Sequence, residues 1–433
     1  HSAICAQDKR ASPVQVCTSS VRPQHCIMLH RAVRRVSRAS SSSLSYPLLS
    51  RRFSIAPEVS TASGPSCGQY IEEEYNDNAH PSAVSGVYQL PGSLTLERGE
   101  MLVAPEVAYT TYGKLNAARD NVIVLCHALT GHSLVHQYWD AMVTPEWTDK
   151  YFIVCSNVLG SCYGSTCPTS INPVTGLPYG PDFPAVTLRD AVALQRQLLK
   201  DALGVRQVQA VIGGSLGGMQ TLEWAFQGQD FVKSFVAIAC GAQHSAWQIG
   251  ISELQRQAIY MDPNFRNGHY TPDAPPNTGL ALARQIAMVS YRTHAAYADK
   301  FGRCQEEAAL DDKLASKYGR YVVQSYLEYQ GEKFLSRFDV NSYLTLLHMM
   351  DTHDVGRGRG GVEQALGSLA QPSLVIGIDS DVLYPLSEQQ EIADLLPNSQ
   401  FAALSSPHGH DGFLLGQEEI SELTKKFLAE NVE

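Results

Sequence analysis

The apolar run Val208-Gln209-Ala210-Val211-Ile212 leads straight into Gly213-Gly214-Ser215-Leu216-Gly217-Gly218, and the helix-forming stretch Met219-Gln220-Thr221-Leu222-Glu223-Trp224-Ala225 follows. Strand, Gly-x-Ser-x-Gly turn and helix, in that order, constrain the fold more than any other feature of the chain. Such a turn is a nucleophile elbow, sharp enough to push its serine out at the carboxyl end of the strand. The glycines are required because a Cβ at their positions would collide with the neighbouring strand or helix. Ser215 is therefore the candidate covalent nucleophile. A structural serine in a tight turn is the plainer alternative, and the strand–turn–helix context favours chemistry.

A serine hydroxyl is a poor nucleophile until a base takes its proton. With an elbow of this kind the partners follow in the order nucleophile, acid, histidine. Leu374-Val375-Ile376-Gly377-Ile378 reads as a buried strand ending in Asp379-Ser380-Asp381. Phe401-Ala402-Ala403-Leu404 reads as a short strand before Ser405-Ser406-Pro407-His408-Gly409-His410-Asp411. Position alone leaves Asp379 and Asp381 open as the acid, and His408 and His410 open as the base.

An oxyanion hole needs two N–H donors. Leu216, the residue after the serine, supplies one from its backbone. The strand Asn121-Val122-Ile123-Val124-Leu125-Cys126 precedes His127-Ala128-Leu129-Thr130-Gly131, and the backbone N–H of Leu129 is the candidate for the other. His127 reads as a residue that orients this loop, because the base comes last in the chain order.

Tyr151–Cys155 and Phe235–Ala239 are further strand candidates. Thr187, with Asp190 three residues on, marks a helix start, and Gly204 closes that helix. Strands alternating with helices imply a mostly parallel sheet covered on both faces. From about Ser252 to Leu366 helical stretches dominate, among them Leu280–Ser290 and Tyr321–Phe334, and no strand pair is evident. This stretch reads as an inserted helical lid, which would keep water from an acyl-enzyme. Tyr291, Tyr326 and Tyr329 fall in it, where core or dimer packing is the expectation.

A net charge of −10 argues against a nucleic-acid partner, which would need a basic face. No apolar run approaches the roughly 18 residues of a membrane helix. The ten cysteines contain no CxxC pair, which points to a reduced compartment and no structural metal. Gly356-Arg357-Gly358-Arg359-Gly360-Gly361 resembles a phosphate loop, but no strand leads into it. It reads as a lid loop whose arginines could touch a phosphate of an acyl-CoA.

The first 90 residues differ. Between Lys9 and Pro57 there are eight arginines and no Asp or Glu, and serines crowd Ser37–Ser45. This is the composition of an organelle transit peptide, with Met28 a plausible start and Arg51-Arg52-Phe53-Ser54 similar to the region before a mitochondrial cleavage site. The expectation is a disordered extension over 1–90 and a mitochondrial-matrix address; without that address the protein is cytoplasmic.

His127-Ala128-Leu129-Thr130-Gly131, Gly164-Ser165-Thr166, Ser170-Ile171-Asn172-Pro173, Tyr179-Gly180-Pro181-Asp182-Phe183-Pro184, the elbow and Gly409-His410-Asp411 together resemble the homoserine O-acetyltransferase family. The resemblance covers roughly residues 90–430. It departs from the family pattern at Cys167, where glycine is usual, and at Gly412. It implies an α/β-hydrolase fold, and the change of pattern along the chain divides that fold into core segments 91–250 and 367–433 flanking a lid at 251–366. It assigns Asp381 as triad acid and His410 as base, and it implies that Arg284 and Asp411 hold the amino-acid substrate. The implied partners are L-homoserine, or L-serine in a related acyltransferase, with acetyl-CoA or another acyl-CoA as co-substrate and no bound cofactor. A homodimer through the lid helices is expected as well. A plain esterase is the hydrolytic alternative, and a catalytically dead binding protein the non-enzymatic one.

Overall fold

The computed structural model describes residues 79–306 and 317–432. The transit-peptide expectation falls on residues outside these.

Eight strands form the central sheet: β1 Val84–Gln89, β2 Glu106–Tyr112, β3 Val122–Cys126, β4 Phe152–Ser156, β5 Val208–Gly214, β6 Val232–Ile238, β7 Ser373–Ile378 and β8 Ser399–Leu404. Their spatial order is β1-β2-β4-β3-β5-β6-β7-β8. β1 pairs antiparallel with β2, and β2 antiparallel with β4. Every other neighbouring pair is parallel. Only β2 therefore runs against the rest.

The central strands are buried on both faces, so they read as continuous apolar runs rather than alternating ones. In β3 all five residues are buried. Val122, Val124 and Cys126 enter one hydrophobic cluster, while Ile123 and Leu125 enter another. The first cluster holds helix α1 (Leu188–Gln197) and helix α2 (Leu216–Ala225); the second is closed by the C-terminal helix at Gln417–Asn431. At the start of α1 the Thr187 hydroxyl accepts from the Asp190 N–H, and the Asp190 carboxylate accepts from the Thr187 N–H at 2.8 Å. After Gln197 the chain widens into a π turn, Leu198–Ala202, and Gly204 at φ +63° ends it.

Between β6 and β7 the chain builds the helical insertion: α3 Ala246–Tyr260, α4 Asn277–Tyr291, α5 His294–Phe301, α6 Val322–Leu335 and α7 Val340–Asp351. Three expectations are corrected here. The boundary at residue 251 falls inside α3, which starts at a capping box of Ser245 and Gln248. The insertion is not free of strand pairing, because Gln305–Glu306 pairs antiparallel with Arg320–Tyr321. Residues 84–89, assigned to the extension, form the edge strand β1. Its side chains are mostly exposed, so no apolar signal marks it.

Candidate active site

Ser215 stands between β5 and α2 at φ 59°, ψ −125°, a backbone conformation that costs a non-glycine residue about 1–3 kcal/mol and persists only where the surroundings enforce it. The close packing of β5, α2 and β3 enforces it. A Cβ on Gly217 would lie 2.0 Å from the Cys126 carbonyl oxygen. One on Gly213 would lie 2.3 Å from the Gly217 carbonyl oxygen.

The Ser215 Oγ is 2.8 Å from His410 Nε2, and His410 Nδ1 is 2.6 Å from Asp381 Oδ2. All three residues are buried. A carboxylate only accepts, so Nδ1 carries the proton and Nε2 is left as the acceptor for the serine hydroxyl. Asp381 Oδ1 accepts the N–H groups of Leu383 (2.8 Å) and Tyr384 (2.9 Å), which fixes the carboxylate. Of the residues that position left open, Asp381 and His410 are the ones hydrogen-bonded in series with Ser215. Asp379 is exposed and accepts from the Ser405 hydroxyl (2.8 Å) and the Ser406 N–H (3.1 Å), pinning the loop that carries the histidine. His410, rather than His408, makes both contacts of the triad. Its ring packs against Tyr384 (5.0 Å between centroids), Phe413 (5.3 Å) and Tyr291 (6.0 Å).

Leu216 is the first residue of α2, so its N–H is one of the four that a helix leaves without an internal acceptor. Leu129 and Ser215 line one cavity of about 350 Å³. The loop bearing Leu129 is oriented by His127. The Nε2 of His127 accepts the Val158 N–H at 3.0 Å, so its Nδ1–H donates to the Ala128 carbonyl at 2.8 Å. Burial pushes the His127 imidazole down to about 4, which keeps it neutral in this structural role.

The same cavity receives Arg284 from α4, Tyr291 and Asp411. The Arg284 guanidinium lies 5.1 Å from the Phe334 ring centroid and 5.9 Å from that of Tyr291. Asp411 Oδ2 is 2.5 Å from the Nε of Arg292. Arg292, at the end of α4, is a contact that no spacing in the sequence announces. Tyr291 lines the cavity rather than serving only as packing. Tyr326 packs on Phe301 at 4.9 Å, and Tyr329 is exposed. The arginines of the 356–361 loop are engaged elsewhere: Arg357 pairs with Glu97 at 2.8 Å, and Arg359 with Glu223 at 2.7 Å.

Among the described residues no group of three or more His, Cys, Asp or Glu side chains could hold a metal ion. Nor is any described helix long and apolar enough to cross a membrane.

Residues 121–417 match the α/β-hydrolase fold family. The homoserine O-acetyltransferase of Trichormus variabilis is 48% identical over 343 residues, covering 78% of this chain and 92% of that one. The homoserine O-acetyltransferase of Chloroherpeton thalassium is 50% identical over 337 residues, covering 77% and 86%. Among solved structures, the homoserine O-acetyltransferase from Bacillus anthracis superposes with a TM-score of 0.74 at 25% identity, covering 82% of this chain and all of that one. An esterase superposes with a TM-score of 0.73 at 27% identity, covering 80% and 100%. An elbow serine hydrogen-bonded to a buried His–Asp pair, on this sheet order and with this extent of identity, means that the chain belongs to the homoserine O-acetyltransferase family of the α/β-hydrolase fold.

Proposed function

We propose that this protein moves an acetyl group from acetyl-CoA to the side-chain hydroxyl of L-homoserine through an acyl-Ser215 intermediate. The observation that carries the reading is the Ser215–His410–Asp381 chain, at 2.8 and 2.6 Å, opening into a cavity that also holds Arg284 and Asp411. Ser215 Oγ attacks the thioester carbonyl as its proton passes to His410 Nε2, and Asp381 holds the resulting imidazolium at Nδ1. The N–H groups of Leu129 and Leu216 take the oxyanion. Collapse expels CoA, which leaves with the proton from His410. The homoserine hydroxyl then gives its proton to His410 and attacks the acyl-serine; collapse returns the proton to Ser215 Oγ. Arg284 pairs with the substrate carboxylate and Asp411 with its ammonium.

The extent of identity to homoserine O-acetyltransferases supports homoserine over serine, although one methylene is worth only about 1–3 kcal/mol of discrimination. A hydrolytic reading has one specific observation in its favour, the esterase of comparable TM-score. One assay separates the readings: enzyme, acetyl-CoA and a thiol reagent, with homoserine, serine or neither. Rapid CoA release only with homoserine supports the proposal, release only with serine supports the shorter acceptor, and sustained release with neither supports hydrolysis.

Leu254, Met261, Leu282 and Val289 stand exposed on or beside α3 and α4, which supports a homodimer through the lid, to be tested by sedimentation. The acid-free, arginine-rich leader supports a mitochondrial address, to be tested by fusing residues 28–60 to a fluorescent protein.

A further inference from the structure

His244, which lines the cavity, belongs to a second histidine–carboxylate pair that the reaction above does not use. His244 Nδ1 is 3.1 Å from Asp351 Oδ1, and His244 Nε2 is 3.0 Å from the Tyr384 hydroxyl. Asp351 Oδ2 in turn pairs with Arg256 Nη1 of α3 at 2.5 Å. The carboxylate can only accept, so Nδ1 of a neutral His244 carries the proton and Nε2 accepts from the tyrosine O–H. All donors then point the same way, from Tyr384 through His244 to Asp351. Burial alone would raise the Asp351 carboxyl; the hydrogen bond from His244 and the charge of Arg256 outweigh it and hold the group below its ordinary range.

Tyr384 touches the triad twice. Its backbone N–H donates to Asp381 Oδ1 at 2.9 Å, and its ring lies 5.0 Å from that of His410. The other end of the chain sits at the two stalks of the lid. His244 lies where the polypeptide enters the insertion, two residues before α3, and Asp351 is the last residue of α7, where it leaves. The stalks are themselves bridged: the His244 N–H donates to the His353 carbonyl at 3.0 Å, and the Val355 N–H to the Ala242 carbonyl at 3.0 Å.

We propose that His244 and Asp351 are positioning residues that tether Tyr384, and through it the Asp381–His410 pair, to the base of the lid, so that the lid stalks set the reactivity of Ser215. The inference rests on Ser215 being the nucleophile of the reading above.

The test measures how fast a fluorophosphonate labels Ser215 in the full chain, a reaction that needs an activated serine but neither acyl-CoA nor acceptor. Tyr384→Phe keeps the ring and the backbone N–H and removes only the hydroxyl. His244→Gln removes the imidazole from the other side. Each variant should label about three- to tenfold more slowly, the loss of one well-placed hydrogen bond in the reacting state. The double variant should be no slower than the slower single, because both break the same chain. The acceptor KM of Tyr384→Phe should stay within about twofold, since Arg284 and Asp411 are untouched, whereas a merely loosened lid would raise it. Labelling of Tyr384→Phe at the unaltered rate, or losses that multiply in the double variant, would overturn the tether. Acetylation of Ser215 by acetyl-CoA, followed by intact mass in the unaltered protein, tests the acyl-serine reading separately. If the fluorophosphonate labels and acetyl-CoA does not, that reading falls and the tether is still judged on the labelling rates.

Discussion

A serine oxygen 2.8 Å from an imidazole nitrogen that has no proton to offer is prepared to lose its own. Ser215→Ala removes that nucleophile without disturbing the elbow, because alanine keeps the Cβ. The variant should fold and lose acetyl transfer by several orders of magnitude, and intact mass should show an acetyl adduct on the unaltered protein alone. Asp381→Asn should be far more damaging than Asp379→Asn, since only Asp381 faces the imidazole; comparing kcat for the two variants checks this. Arg284→Ala should still be acetylated, because acetyl-CoA carries no amino-acid carboxylate, but the KM for homoserine should rise about ten- to a hundredfold for the loss of a charge-assisted hydrogen bond. Loss of the acylation burst with normal transfer would assign the arginine to the donor half instead. At this scale Ser215 was legible because backbone geometry dictates its neighbours. The acid was not legible from position, since Asp379 and Asp381 both end β7. The turn separates them: one accepts from Leu383 and Tyr384, the other from Ser405 and Ser406. Contacts such as Arg292 with Asp411 join residues far apart in the chain and leave no local trace.

At the scale of elements, the 356–361 loop, which resembles a phosphate cradle in sequence, is a latch. Arg359 meets Glu223 of α2 with both nitrogens of its fork, at 3.0 and 2.7 Å, and its guanidinium carbon lies 3.7 Å from the Phe226 ring centroid. Glu223 is buried and also accepts from Arg189 Nε at 3.2 Å. Arg359→Ala leaves the carboxylate with that one partner, so the cost should be about 1–3 kcal/mol rather than the 3–5 of a fully orphaned buried charge. Chemical denaturation should register the loss while kcat changes little, because neither residue lines the catalytic cavity. The elements themselves were unevenly readable. The parallel strands β3 to β7 announced themselves as apolar runs because both faces are covered. β1 did not, with Val84 and Val87 exposed, and the two-residue ladder in the lid is too short to carry a period.

Across the whole molecule, burial of neutral histidines links stability to pH. Desolvation pushes His127 down to about 4 and His132 and His353 down to about 3, against about 6.5 in an unfolded chain. Between those values the unfolded state binds more protons than the folded one, so stability rises with pH. The contribution of these groups is fully present above about pH 6.5 and is lost as the pH falls toward 4. Each pKa unit of difference is worth about 1.4 kcal/mol, so even one such group is a sizeable share of a stability of about 5–15 kcal/mol. The melting temperature should therefore fall steeply from pH 6.5 to 4. The three histidines differ in what their removal exposes. His127 holds the Val158 N–H and the Ala128 carbonyl, so replacing it also loosens the loop that carries Leu129. His353 has a simpler environment, with Nε2 3.2 Å from the Gly241 carbonyl. His353→Gln keeps a donor for that carbonyl and removes the titration. Its melting temperature at pH 7 should drop modestly, and its decline between pH 6.5 and 4 should be shallower than that of the unaltered protein. Parallel curves for the two proteins, measured by calorimetry over that range, would mean that the acid sensitivity resides in other groups.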